Sequence, residues 1–530
     1  EIQAFSSFPY IGMMMLSILF LCCLLSAAIV VVSGFKTAIV VGSGPAGLAS
    51  ALVLAKRHGY QVTVLESAER IDVYDPRKGY PFLIGERGQR LTKLFPSLLH
   101  EPLKERGVGV EGPTQLVSIP SDPNEVVDLE PKAITIFRPS GERFWVPRHE
   151  FTKILLDAAT KTENIKLVNG VSCREIKAES DSEIIVCTES KDKSGSPVLE
   201  EFKSSIVIAA DGMNSAVRES LSKPESPLSK WVNGKPKGFQ VKRWNSPSSG
   251  LKFKTLHMNP KATIPVGDGT EYQIPFNTQT FFAVRSVFKS PKTAISFGIL
   301  PCREVPSRAM NVIRLANHDI WKIRDGNELK EWFSKAFPRL DFGSSNNPLI
   351  GQEELDRFAA NDGLTLPPIQ YSPELQVQSP TGNAAVVILG DAAHTFPPDL
   401  GEGVNSGLED VVALDEALTN NEKPGEMATA YSKARKPETK ALVKIATYGA
   451  PFQYGQSGGL LTVKKMLWTL NFAGRLILSK LSFGLTPPQL AIQISQTNLP
   501  YSSVWKRAQI LTFSLWTVFA GIMARAFGLV

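Results

Sequence analysis

Apolar and polar positions change their spacing several times along the chain, and each change predicts an element. Residues 37–42 (TAIVVG) are a short continuous apolar run. An Ala/Leu-rich stretch, LASALVLAKRHG, follows, and 61–66 (QVTVLE) is a second apolar run that closes on an acid. Short apolar runs bounded by glycine read as buried strands, and the stretch between them as a helix. In 148–159 (RHEFTKILLDAA), Phe151, Ile154, Leu155 and Ala158 share one helical face. Residues 165–189 and 197–203 alternate as a β-meander around a loose SKDKSGS loop. The segment 204–221 (SSIVIAADGMNSAVRESL) repeats the theme of apolar strand, acid-glycine and helix.

Residues 225–250 are rich in Pro, Ser, Gly and Lys and predict a crossing loop. From 251 to 300, runs such as 280-TFFAVRSVF-288 and 294-AISFGIL-300 predict antiparallel strands. A helix is expected over 326–338 and a strand over 384–389, and 404–505 reads as mainly helical. The predicted class is α/β, with an antiparallel β-sheet domain inserted into a first domain and a helical C-terminal region. The expected divisions are 1–36, an apolar N-terminal segment; 37–225, the first part of the nucleotide-binding domain; 226–380, mainly the insert; 381–425, the return segment; 426–507, helical; and 508–530, an apolar tail.

The first turn carries chemistry. Gly42, Gly44 and Gly47 in 42-GSGPAG-47 match GxGxxG between a strand and a helix, and Glu66 closes the next strand. Gly42 allows the turn, and Gly44, with Pro45 and Ala46 beside it, lets the backbone approach a pyrophosphate at the helix N-terminus. Gly47 permits close packing of helix on sheet. Glu66 suits ribose hydroxyls and repels a 2′-phosphate, so this Rossmann-like unit predicts FAD or NAD as the tightly held dinucleotide.

A second cluster is 388-ILGDAAHTFPPDLGEGVNSGLED-410. Gly390-Asp391 at a strand end offers a carboxylate to a polyol such as the ribityl chain of FAD. Two prolines stiffen the loop that follows, and Gly401 and Gly403 remove side chains that would clash with a flat ligand. A helix starting near Val404 would direct its N-terminus at the ligand. Asp211-Gly212 forms a third acid-glycine turn.

Charge and cysteine content narrow the function. The chain of 530 residues is 43% hydrophobic and 21% charged, with net charge +7. There is no long basic run or nucleic-acid motif, so no nucleic-acid partner is expected. The five cysteines show no CxxC or Cys/His spacing, so no metal is expected, and an intracellular, reducing location is. The uncharged run 13–32 reads as a targeting segment, a membrane anchor or a wrong start. The run 508–524, flanked by Lys506, Arg507 and Arg525, reads as a C-terminal membrane anchor.

With GxGxxG and Glu66, 211-DGMNSAVR-218 and Gly390-Asp391 together, the sequence resembles the single-component FAD-dependent aromatic hydroxylases (group A flavoprotein monooxygenases) over about residues 37–420. Within them it is most similar to the kynurenine 3-monooxygenases and kynurenine-monooxygenase-like proteins, through 403-GVNSGLEDVVALDE-416. The resemblance implies a glutathione-reductase-type FAD domain and NADPH or NADH as co-substrate. It also implies O2 adding at flavin C4a as a hydroperoxide, and hydroxylation of a small aromatic or apolar substrate. Arg148 would help hold FAD, Arg87 and Arg90 would form a cationic loop near it, and Asp211 and Gly212 would lie near its pyrophosphate. His394, Asn405 and Glu409 are weak candidates for chemistry, with His394 read first as a loop residue.

The resemblance further implies membrane association, at the mitochondrial outer membrane or another organelle. Two departures stand out: Glu402 replaces a usual Gln, and the family's carboxylate-gripping arginine and tyrosines correspond to Ile134, Phe144 and Trp145, with Lys132 and Arg138 nearby. An epoxidase or prenyl reductase acting on an isoprenoid or quinone precursor, or a non-oxygenating FAD-binding protein, is the alternative.

Overall fold

The computed structural model describes residues 36–526, apart from 135–140, 225–227, 229–230, 232–235, 268, 276–277, 304–307 and 457. The apolar run 13–32 and Arg138 therefore lie outside the described residues. The first layer is a six-stranded sheet in the order Gln376–Gln378, Ala385–Ile388, Ile206–Ala209, Thr37–Val41, Gln61–Glu66, Ile165–Asn169. Five of its strands, Ala385–Ile388 through Ile165–Asn169, are parallel, and only the Gln376–Gln378 edge is antiparallel. Thr37–Val41 is buried from Ala38 onward, and Ile206–Ala209 and Ala385–Ile388 are buried throughout. That burial on both faces explains why these runs are continuously apolar rather than alternating.

Helix α1 (Pro45–Leu52) connects the first two strands, and α2 (Arg148–Thr160) packs beside it, burying the four residues predicted from its spacing. Helix α3 (Gly403–Asn420) lies on α1, and α4 (Pro424–Tyr448) covers α3.

The second layer is a seven-stranded sheet ordered Leu364–Thr365, Lys252–Met258, Arg308–Arg314, Ser296–Ile299, Thr280–Arg285, Thr114–Pro120, Lys132–Ile134. Antiparallel pairing dominates, as the alternating runs predict, but Thr280–Arg285 pairs in parallel with Thr114–Pro120. The sheet thus takes two strands from before residue 226, while Gln376–Gln378 returns to the first sheet. Proximity in space, which periodicity does not encode, sets this mixed boundary. Likewise Arg143–Pro147, close in sequence to Lys132–Ile134, belongs to a different sheet, where it pairs with Pro81–Ile84 and Val108–Val110.

The C-terminal region is helical, as expected, with α5 (Leu460–Leu481) and α6 (Tyr501–Ala526). The spanning reading of 508–530 requires correction. No helix among the described residues is long and apolar enough to cross a membrane. The stretch continues a helix whose start is committed to packing: Tyr501, Val504 and Ala508 are buried in one cluster with Leu442 and Ile445 of α4.

Candidate active site

The site is assembled from strand ends of the first sheet and one face of the second. At the first strand end, Gly42 has φ +99°, and a Cβ there would lie 2.4 Å from the Ala210 carbonyl oxygen. A Cβ on Gly47 would lie 2.0 Å from the Gly42 oxygen. Both contacts are below any real carbon approach, so only glycine lets α1 sit this close to the sheet. Gly44 differs, because nothing lies within 4 Å of its would-be Cβ. Its backbone fronts open space at the uncapped N-terminus of α1, where the first-turn N–H groups have no side-chain partner. Glu66 accepts from the Ser43 hydroxyl at 2.6 Å, the Ser43 N–H at 2.9 Å and the Ala68 N–H at 2.8 Å. Burial pushes its pKa up, but these bonds together hold it below the ordinary range, so it stands as an ionised acceptor.

The second strand end presents Gly390 and Asp391. Gly390, at φ +60°, donates its N–H to Asp410 Oδ2 at 2.9 Å. Asp391 is deep in the fold, yet its carboxyl is exposed because it opens into the cleft. Its enclosed setting raises its pKa, with His394 and Arg148 pulling the other way. The loop then makes a tight turn at Pro398–Leu400, passes Gly401 at φ +67°, and enters α3 with no side-chain cap. Asn405 holds this geometry: it accepts from the Gly85 N–H at 2.9 Å and donates to the carbonyls of Leu83 (2.9 Å) and Gly401 (3.1 Å).

One cavity of about 1240 Å³ joins these parts. At one end are Gly42, Gly44, Pro45, Ala46 and Glu66. Arg148, Asp211, Gly212, Gly390 and Asp391 line its middle, with Pro398, Gly401, Gly403 and Val404 along one wall. The far end is the seven-stranded sheet, where Phe253, Phe281, Leu300, Ile313 and Leu364 form an apolar chamber. A Cβ at Gly298 would lie 3.3 Å from the Phe281 ring, so the glycine lets that ring lie over its strand. Asp211 is half-buried, accepts from the Val217 N–H at 3.2 Å through Oδ2, and has a buried Oδ1 without a partner.

Several predicted residues stand elsewhere. Arg87 is buried outside the cavity wall, 3.3 Å from Glu409 and over the Tyr501 ring at 4.2 Å. Arg90 is half exposed and pairs with Glu416 at 3.1 Å. The cationic loop is thus spent on α3 carboxylates, whose positions a local motif does not reveal. His394, Asn405 and Glu409 also lie off the wall. His394 Nε2 is 2.8 Å from Asp410 Oδ2, and Arg435 bonds both Asp410 (2.7 Å) and Glu409 (3.1 Å). Burial raises the Asp410 pKa, but His394 and Arg435 bring it below the usual value. These groups form a buried network that fastens α3 and α4 behind the flavin-type loop. Glu402 also turns away from the cavity wall, toward Tyr501.

At the positions of the family's carboxylate grip, Phe144 is buried, Ile134 sits on an edge strand, and exposed Lys132 pairs with Asp128 at 2.9 Å. Trp145 does line the cavity. The sequence reading missed Asp399, Gln453, Tyr454, Asn311 and Arg314, all on the wall. Asp399 lay within the quoted loop, and its acid between a proline and a leucine was the available signal. The others come from distant segments and carry none.

Residues 374–446 match the FAD binding domain family, and residues 40–83 match the NAD(P)-binding Rossmann-like domain family. Kynurenine 3-monooxygenase of Drosophila willistoni is 23% identical over 92% of this chain and 93% of its own length. The enzyme of that name from Salinispora arenicola is 32% identical, but over 23% of this chain and only 26% of the relative. Among solved structures, a mutant of 2-methyl-3-hydroxypyridine-5-carboxylic acid oxygenase superposes with a TM-score of 0.53 at 16% identity, covering 80% of this chain and 94% of that one. The fold is therefore shared with that oxygenase. The matches as a set bear out the resemblance to FAD-dependent aromatic hydroxylases and the expected need for FAD and a nicotinamide co-substrate, NADPH or NADH.

Proposed function

We propose that this chain, an FAD-dependent aromatic monooxygenase, inserts one oxygen atom of O2 into an aromatic substrate held against the inner face of the seven-stranded sheet. A single observation carries the reading: the dinucleotide turn, the Asp391 strand end and the apolar chamber are parts of one cavity. The residues fit FAD. The open backbone at Gly44 and the α1 N-terminus suit its pyrophosphate, Glu66 its adenosine ribose, and Asp391 its ribityl hydroxyls. The unpartnered Asp211 Oδ1 adds an acceptor beside the same path. Bound there, FAD would supply the redox chemistry, taking electrons from NADPH and activating O2.

The protein's own part is positioning. Pro398 and Gly401 define a wall for a flat ring, and the uncapped N-terminus of α3 favours negative charge along that edge. Phe253, Phe281 and Ile313 exclude water from the chamber and orient an aromatic ring. Ile134, Phe144 and Trp145 at the positions of the family's carboxylate grip support a substrate recognised differently from kynurenine. The test is to purify the chain and measure FAD per protein and NADPH-dependent bleaching of the flavin, with and without aromatic compounds. One FAD per chain and compound-stimulated reduction would support the reading. A chain that takes up no FAD would end it.

For location, we propose peripheral attachment to a membrane surface in place of a span. After Glu438 the sequence has nine Lys/Arg and no Asp/Glu, more than the whole net charge of +7. In that region Met466, Leu467, Leu470 and Ile477 of α5, and Ile510 and Phe513 of α6, are exposed large apolar side chains. Apolar side chains on a basic background suit an anionic lipid interface. Co-sedimentation with anionic vesicles that disappears on Leu467→Asp/Leu470→Asp substitution would support this; unchanged recovery in the supernatant would contradict it.

A further inference from the structure

The connection from Glu66 to the strand Pro81–Ile84 forms a strap between α2 and the seven-stranded sheet. On the α2 side, the Arg148 N–H donates to the Tyr80 carbonyl at 3.1 Å. The Tyr74 ring stands edge-on to the His149 ring there, with centroids 4.7 Å apart. On the sheet side, the strap is fastened to the strand Lys252–Met258. The Thr255 hydroxyl donates to the Pro76 carbonyl at 2.8 Å, and the Tyr74 hydroxyl is 2.5 Å from His257 Nε2. A Cβ at Gly79 would lie 2.5 Å from that hydroxyl and 3.3 Å from His257 Nε2, so glycine makes room for the bond. Ion pairs of Arg70 with Asp72 (2.8 Å) and Arg77 with Asp75 (3.0 Å) are internal to the strap and do not fasten it.

His257 is the titratable acceptor in this fastening. Burial pushes the Tyr74 hydroxyl up to about 12; Arg357 pulls it down, and Glu354 and Asp75 add to the rise. Tyr74 therefore keeps its proton and donates it, which requires an unprotonated His257 Nε2. The proton of the neutral ring then sits on Nδ1, 3.4 Å from Glu354 Oε1. On the helix Gln352–Ala360, Glu354 also accepts from the His257 N–H at 2.6 Å and from Arg357 Nε at 2.6 Å. From α2, His149 faces the same cluster, with its Nε2 3.3 Å from Glu150. Burial holds the His257 pKa below its ordinary value; Glu354 opposes this, and Arg357 and His149 add to it. Protonation of Nε2 removes the acceptor that Tyr74 uses and sets a second cation beside Arg357.

The strap also reaches the cavity, which Lys78 and Tyr80 line. Burial raises the Tyr80 hydroxyl pKa, Arg148 opposes and Asp391 adds to the rise, so this hydroxyl stands among the groups of the proposed FAD seat. The Tyr80 ring packs edge-on to Phe253 at 5.9 Å.

We infer that His257 is a positioning residue for the cofactor seat. Neutral, it holds the strap through Tyr74 and sets Lys78 and Tyr80 on the cavity wall; protonated, it releases them. The inference rests on the FAD reading for the seat, but release of the strap itself needs no FAD.

Two measurements on the full chain test it, each at about pH 7.5 and about pH 5, on either side of the ordinary histidine range. Hydrogen exchange of residues 71–80 is followed without FAD, and FAD affinity by flavin fluorescence. Every value is compared with His257→Gln at the same pH, because Gln offers Tyr74 an acceptor that does not titrate. Asp391 and Asp399 are present in both proteins, so the comparison cancels them. At the lower pH, strap exchange in the unmodified chain should be about threefold or more faster than in His257→Gln, and FAD binding weaker by a similar factor. Tyr74→Phe should show fast exchange and weak FAD binding at both pH values, and His149→Gln should keep the pH response. Equal pH dependence in the unmodified chain and His257→Gln would overturn the inference, as would a Tyr74→Phe strap that stays fully protected at the higher pH. Strap exchange that responds while FAD affinity does not would overturn the positioning role. Should His257→Gln fail to fold, Tyr74→Phe decides by losing the pH response. A chain that binds no FAD ends the FAD reading, and strap exchange alone then decides whether His257 holds the strap.

Discussion

The Tyr501 hydroxyl donates a 2.8 Å hydrogen bond to Glu402, joining the first turn of the C-terminal helix to the residue that precedes α3. Arg87 lies over the same ring at 4.2 Å. Burial raises the pKa of Glu402, which Arg87 and Tyr501 partly offset, and burial also lifts the Tyr501 hydroxyl well above its ordinary value. The flavin-type loop is thus latched from behind by α6. Tyr501→Phe strands a buried carboxyl and should cost about 1–3 kcal/mol in urea unfolding. Unchanged stability would show that the latch carries no load.

Asp391 opens into the cleft at the end of its strand, where the proposed FAD seat needs an acceptor. Asp391→Ala should weaken FAD binding by roughly tenfold to a hundredfold, about 1.4–2.8 kcal/mol. Flavin fluorescence titration of the unloaded protein reads this directly. A variant that keeps full FAD through dialysis would remove Asp391 from the seat.

His394 invites assignment as a base, but its Nε2 is held by Asp410 in a buried network. His394→Ala removes one partner of a buried charge and should cost about 3 kcal/mol of stability. Turnover per FAD-loaded molecule should stay near that of the unmodified protein below the melting transition. A large loss of kcat at unchanged stability would make His394 a catalytic residue after all.

Asp399 gives a pH signature. Burial raises its pKa to about 7 in the fold, against an ordinary value of 3.8. Between those values the folded state holds a proton that the unfolded state has released, so stability falls as pH rises from about 4 to 7. Asp399→Asn should flatten that segment of the stability–pH curve and raise stability at pH 8 by about 2 kcal/mol. An identical pH slope in both proteins would contradict the buried, unsatisfied carboxyl.

The two halves of the site were unequally legible. Gly42, Gly47 and Gly390 could be read because each meets a local backbone demand that only its own neighbourhood sets. Asp391 stood out for the same reason, an acid at the end of an apolar strand. Arg87, Glu409 and Arg435 were not legible as a network, because their partners lie on α3, α4 and an early helix. Phe253, Phe281 and Ile313 alternate as any half-buried strand does, and nothing local says that their face meets the cleft and not solvent. The parallel pairing of Thr280–Arg285 with Thr114–Pro120 was hidden for that reason too. The tail at 508–524 looked like a span because apolarity alone does not distinguish a helix that crosses lipid from one that leaves apolar side chains such as Ile510 and Phe513 exposed on its surface.

The central claim is that one cavity brings FAD chemistry to an aromatic ring, and oxygen-isotope incorporation tests it most directly. The FAD-loaded chain is supplied with NADPH, 18O2 and the aromatic compound that most stimulates NADPH oxidation. The account predicts one 18O atom in the product for each NADPH consumed, with little peroxide. NADPH oxidation balanced wholly by peroxide for every compound, or a product whose added oxygen comes from water, would contradict it.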